Sequence, residues 1–100
     1  LVQLPLPDSS IEQEVIATID PDKDVDGFHP INIGRMMLGL PAYLPCTPHG
    51  ILHILKRSDV PVSGADVVIV GRSNIVGRPL ANLMTLKNEL VKKKLPPFKV

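Results

Sequence analysis

Apolar and polar positions along this chain fall into short blocks, and most blocks are closed by proline or glycine. Leu1, Val2 and Leu4 read as the end of a strand, stopped by Pro5 and Pro7. Asp8-Ser9-Ser10 supplies a helix start, with a capping box available as Ser9 with Glu12 or Ser10 with Gln13. Ile11, Val15, Ile16 and Ile19 then recur at helical spacing, and Pro21 closes the run. A charged loop over residues 22–27 precedes a second predicted helix over residues 31–38, ended by Gly39 and Pro41. Residues 43–48 are an extended, proline-rich connection. Thr47-Pro48 predicts the next helix start, with Thr47 as N-cap and Pro48 at the first helical position. Ile51, Leu52, Ile54 and Leu55 are its expected buried face, and Lys56-Arg57 suit its negative end.

The pattern then changes. Residues 67–70, Val-Val-Ile-Val, are β-branched without polar alternation, which predicts a strand covered on both faces, as in a parallel sheet. The run ends at Gly71, where the chain can turn tightly. A helical stripe follows from about Ile75, carrying Leu80, Leu83 and Met84, with Pro79 in its first turn. Strand, tight turn and helix start make a place where unpaired backbone N–H groups attract anions.

That turn, Gly-Arg-Ser-Asn-Ile-Val-Gly over residues 71–77, resembles the dinucleotide fingerprint G-x-G-x-x-G but replaces its middle glycine by Ser73. Gly71 serves the turn and Gly77 the close approach of helix to strand. Arg72 can hold a phosphate through two parallel charge-assisted hydrogen bonds, and Ser73 can donate one more. The pair favours NADP over NAD. The competing reading is an ordinary α/β turn with a solvated arginine.

Length and composition narrow the class. One hundred residues allow one small domain or pieces of two. With 44% hydrophobic residues the chain is globular rather than disordered. A formal charge of +1 gives no reason to expect nucleic acid or an acidic membrane, and no apolar run is long enough to span a bilayer. Residues 87–94 carry four lysines and one glutamate, read as a solvated helix end, and Phe98 is placed to open another strand. The single cysteine, Cys46, allows no disulfide within the chain and fits a reducing, cytoplasmic compartment.

Other candidate chemistry lies before the turn. Asp22, Asp24 and Asp26 alternate as in a calcium loop, but the glutamate such a loop needs is absent, since residue 33 is Ile33. Either they form a solvated turn, or one faces a cleft and accepts hydrogen bonds from an amidine-like ring edge. His49 and His53, four apart on a helix, share a face but have no third ligand nearby in sequence, so no metal site is assigned. Cys46 reads as a small hydrophobe. Gln3, at a strand end, is either a satisfied loop amide or a polar group at the mouth of a cleft.

Four segments stand together in one order: residues 1–7 (Leu-Val-Gln-Leu-Pro-Leu-Pro), 21–29 (Pro-Asp-Lys-Asp-Val-Asp-Gly-Phe-His), 45–50 (Pro-Cys-Thr-Pro-His-Gly) and the 71–77 turn. In this the chain closely resembles the bifunctional methylenetetrahydrofolate dehydrogenase/methenyltetrahydrofolate cyclohydrolase family, from Leu1 to about Met84. The resemblance implies a three-layer α/β fold. Residues 1–46 are expected to end an N-terminal folate-binding catalytic domain. Residues 47–100 are expected to begin a Rossmann-like NAD(P)-binding domain, with 87–100 a variable insertion. The chain is thus expected to be an internal fragment of a longer enzyme.

The resemblance further implies oxidation of 5,10-methylenetetrahydrofolate with NADP, then hydrolysis of the methenyl product to 10-formyltetrahydrofolate. Asp26 is expected to grip the pterin, and Gln3 to hydrogen-bond the catalytic lysine. Thr47 is expected to line the nicotinamide side, and Arg72 and Ser73 to hold the 2′-phosphate, with Gly71, Ile75 and Gly77 shaping the turn. The family's lysine lies on a Tyr-x-x-x-Lys helix upstream of the position matching Gln3. At that spacing Tyr43 is followed by Thr47, so the fragment alone is expected to be inactive. Tetrahydrofolate derivatives are the expected partners, with no nucleic acid and no membrane, and a homodimer is expected for the full-length protein. The alternatives are another NAD(P)-dependent α/β dehydrogenase, or a non-catalytic folate-binding relative.

Overall fold

The computed structural model describes residues 1–86. The chain divides into two compact units, Leu1–Pro45 and Cys46–Val100. Four α-helices lie among the described residues: α1 (Glu12–Thr18), α2 (Pro30–Leu38), α3 (Cys46–Arg57) and α4 (Gly77–Thr85).

In the first unit, a 3-10 turn over Ser9–Ile11 leads into α1. Of the expected cap stretch Asp8-Ser9-Ser10, Asp8 caps the 3-10 turn, and neither serine forms the capping box. The Asp8 carboxylate accepts from the Ser10 N–H at 3.0 Å and the Ser10 hydroxyl at 2.6 Å. The Ser10 hydroxyl, then its N–H, hold the Asp8 carboxyl below its ordinary range. Glu12 reaches back as a capping-box acid does, but to the N–H of Leu6, at 3.0 Å. Of the predicted α1 stripe, Ile16 is buried, Val15 and Ile19 are half-buried, and Ile11 is exposed.

Helix α2 begins one residue before its predicted start. His29 caps it, its Nδ1 accepting from the Ile31 N–H at 3.1 Å, and Pro30 takes the first helical position. Gly39 ends it at φ 73°, and the N–H groups of Gly39 and Leu40 close on the carbonyls of Met36 and Arg35. Its buried residues are Asn32 and Met36.

In the second unit, α3 begins at Cys46, so Thr47 lies in its first turn rather than capping it. Pro48 stays within that turn, where a missing N–H costs no intrahelical bond. Leu52 is buried and Ile51 and Leu55 are half-buried, but Ile54, expected on the buried face, is exposed. Asp59 terminates the helix in the left-handed region at φ 56°. Helix α4 packs on α3 and buries Pro79, Leu80 and Leu83. Its predicted start near Ile75 moves to Gly77.

No strand is found among the described residues. Residues 67–70 were expected to be covered on both faces, yet Val68 is 88% and Val70 99% exposed. The reason is that a parallel strand takes its hydrogen bonds from strands distant in sequence, and the described residues supply no such ladder. Residues 1–4 lack strand structure for the same reason. The strand expected from Phe98 and the lysine-rich helix end at 87–94 lie outside the described residues.

Candidate functional site

The acidic loop of the first unit is built around Asp24, not Asp26. A short 3-10 turn over Pro21–Lys23, capped by Asp20, brings Asp24 under the start of α2. Its carboxylate accepts from the Phe28 N–H at 3.2 Å, the His29 N–H at 2.8 Å and the Asn32 amide at 2.9 Å. Asn32 also donates to the Pro21 carbonyl at 2.9 Å. Asp24 and Asn32 are only 3% and 1% exposed, and the bonds of Asp24 to His29 and Asn32 are buried. Sequence reasoning missed this knot. Its trace was Asn32, a polar residue one turn before buried Met36 on the same helix face, which demands a partner.

Gly27 completes the loop. It sits at φ 69°, and a Cβ there would lie 2.6 Å from the Tyr43 carbonyl oxygen and 2.8 Å from the Leu44 carbonyl carbon. Only glycine fits. Asp24 is committed inward, and half-buried Asp26 lines a small open cleft with it. Val2, Ile16, Ile19 and Phe28 supply its apolar wall, and Lys23 stands with Asp26 among its polar groups. The arrangement offers a carboxylate beside a greasy wall, suited to a flat ring with N–H donors on one edge. Gln3 is exposed, and its Nε2 donates to the neighbouring Leu4 carbonyl at 3.2 Å.

In the second unit the turn at residues 71–77 is arranged by Ser73. Its hydroxyl accepts from the N–H groups of Val76 and Gly77, at 3.1 and 3.3 Å, and its carbonyl accepts from Arg78 at 3.0 Å. Ser73 therefore starts α4, and its hydroxyl proton remains available for a donor bond outward. Gly77 lies against Gly71: a Cβ there would meet the Gly71 carbonyl oxygen at 2.7 Å and carbon at 2.8 Å. Gly71 adopts φ 152°. Arg72 and Ile75 are exposed at the turn. A second guanidinium, Arg78, donates from Nη1 to the Asn74 side chain at 3.1 Å, a pairing that the motif had not suggested. Thr47 is exposed on the first turn of α3. Among the described residues no group of three or more His, Cys, Asp or Glu side chains converges to hold a metal. No helix among them is long and apolar enough to cross a membrane.

A turn bounded by two glycines ahead of a helix defines the class of dinucleotide-binding turns, although the expected unpaired N–H groups are absent among those described: Val76, Gly77 and Arg78 already donate to Ser73. Comparison with known proteins gives the particular member of that class. Residues 45–94 match the family described as "Tetrahydrofolate dehydrogenase/cyclohydrolase, NAD(P)-binding domain". The bifunctional protein FolD of Bacillus velezensis is 59% identical over 91 residues, covering 91% of this chain and 32% of that protein. FolD of Salinibacter ruber is 63% identical over 84 residues, covering 84% of this chain and 28% of that protein. Among solved structures, a methylenetetrahydrofolate dehydrogenase from the silkworm Bombyx mori superposes with a TM-score of 0.82 at 41% identity, over 94% of this chain and 33% of that one. The Trypanosoma brucei FolD, complexed with NADP and an inhibitor, gives 0.78 at 31% identity, over 94% of this chain and 31% of that one. The chain belongs to the tetrahydrofolate dehydrogenase/cyclohydrolase family. It spans about a third of the length of the curated relatives it matches.

Proposed function

We propose that the protein carrying this chain oxidises 5,10-methylenetetrahydrofolate to the 5,10-methenyl form with NADP, and hydrolyses that product to 10-formyltetrahydrofolate. The observation that carries this reading is the 71–77 turn, with its Ser73 hydrogen bonds and Gly71–Gly77 contact, inside a region matching the family's NAD(P)-binding domain. Further support comes from the NADP complex of the Trypanosoma brucei relative.

The residues present fit the cofactor. Arg72, exposed on the turn, supplies two parallel donors to the 2′-phosphate. Ser73 spends its lone pairs on the N–H groups of Val76 and Gly77 and turns its hydroxyl proton to the same phosphate. Gly71 and Gly77, with exposed Ile75 between them, shape the turn, and Thr47 lines the nicotinamide side. When bound, NADP supplies the hydride acceptor. Residues 67–70 serve as a strand of the α/β cofactor domain in the complete protein.

In the first unit Asp26 holds the pterin amino group and adjacent ring N–H, with the apolar cleft wall against the ring face. Gln3 is a positioning residue. Its amide carbonyl accepts from the ammonium of a lysine on the family's Tyr-x-x-x-Lys helix, favouring one orientation of that lysine. Tetrahydrofolate derivatives are the ligands, and the working form is a cytoplasmic homodimer assembled through the cofactor domain.

The test is steady-state kinetics on the full-length protein. Folate-dependent formation of NADPH is expected. Arg72→Ala is expected to raise KM for NADP by about 10- to 100-fold, while KM for NAD changes little, as removal of a charge-assisted phosphate contact requires. Absence of folate-dependent NADPH formation sinks the activity, and an unchanged KM for NADP sinks the assignment of Arg72.

A further inference from the structure

Helix α3 carries two histidines one turn apart, and neither has a part in the folate or dinucleotide chemistry above. His49 and His53 are both half-buried, and their Nε2 atoms stand 3.3 Å apart. The rings meet edge to face, with centroids 4.7 Å apart and planes inclined at 63°. Burial first, and the neighbouring His53 second, push His49 below the ordinary histidine pKa.

We propose that His49 and His53 form a two-histidine chelate for a divalent zinc-like ion, on a site separate from the dinucleotide turn. The spacing accommodates the geometry. Two Zn–N bonds of about 2.05 Å spanning the observed gap enclose an angle of roughly 107°, close to tetrahedral. Bonds of that length at right angles, as in a square-planar copper(II) site, would need the nitrogens about 2.9 Å apart. The helix sets this gap, because side chains four residues apart stack on one face. Binding through both Nε2 atoms requires the ring proton on Nδ1 of each imidazole, so the present Nε2–Nε2 hydrogen bond gives way to the metal.

Among the described residues no third His, Cys, Asp or Glu joins the pair. The remaining positions are filled by water or by an external ligand, which makes the site open and exchangeable rather than structural. Lys56 and Arg57 follow within a turn and oppose a cation. They sit at the carbonyl end of the helix, whose partial negative charge offsets part of that repulsion.

The experiment uses the full-length protein and zinc chloride as the probe, followed by titration calorimetry at pH 7.5. His49→Gln, His53→Gln and the double variant are compared, with circular dichroism to establish that each is folded. The wild type is expected to bind one zinc per chain more than the double variant. Each single variant is expected to weaken that site by roughly tenfold or more, as loss of a ligand does. Cobalt(II) bound at the same site is expected to show the intense visible bands of tetrahedral coordination. Equal zinc stoichiometry and affinity in the wild type and the folded double variant overturns the proposal. So does a loss confined to one of the two single variants, because a chelate needs both rings.

Discussion

Asp24 and Asp26 stand two residues apart and do different work. Asp24 is turned inward, where its two oxygens satisfy the N–H groups of Phe28 and His29 and the Asn32 amide. Asp24→Ala would remove the acceptor of three hydrogen bonds, two of them buried. We expect a stability loss of about 3 kcal/mol, measurable by denaturant unfolding of the full-length protein. Asp26→Ala removes no such bond and is expected to cost under about 0.5 kcal/mol, while weakening folate binding. The alternation of three acids was legible in the sequence. Which of them turns inward was not, because that depends on where the start of α2 lies in space. His49 gives a second residue-level outcome. Its folded pKa is lowered, so the unfolded chain binds more protons as pH drops below about 6.5. The stability it contributes is present above that value and lost as pH falls through the lowered one. His49→Gln is expected to flatten that part of the stability–pH curve between pH 7.5 and 5, and an unchanged slope would contradict it.

At the scale of elements, helices read well and the strands did not. Helices α2, α3 and α4 each have local signatures: Pro30 and Gly39 around α2, Pro48 in the first turn of α3, and the Leu80–Leu83 stripe of α4. Starts shifted by one or two residues, and for α2 the cap is His29, which the pattern had not favoured. Residues 67–70 carry the composition of a buried strand, but strandedness is a property of pairs, and the partner is non-local. Ser73, three residues ahead of the Val76 N-cap of α4, has the most to reveal. Ser73→Ala removes the acceptor for two N–H groups at the start of α4. It is expected to cost about 1 kcal/mol of stability and to raise KM for NADP; Ser73→Thr, which keeps the hydroxyl, is expected to restore both. If KM rises equally in both variants, the hydroxyl is not the donor.

On the scale of the whole molecule, the chain spans about a third of its relatives' length. Val68 and Val70 are exposed here, and in the α/β cofactor domain proposed above they would be covered. Amide hydrogen exchange at residues 67–70 is expected to be fast in the 100-residue chain and strongly protected in the full-length protein. The 100-residue chain alone is expected to give no dehydrogenase turnover. Robust NADP-dependent oxidation of the folate by it would contradict the placement of the lysine on another segment.

The contact between Gly77 and the Gly71 carbonyl makes exit from the extended segment and entry into α4 a single elbow with no slack. Whatever grips α4 from behind therefore also sets how steadily the elbow is held toward a nucleotide. Leu83, 2% exposed on a helix that packs against α3, is such a grip. Trimming it to alanine, two turns from any phosphate, should blunt the affinity for the dinucleotide as well as the melting temperature.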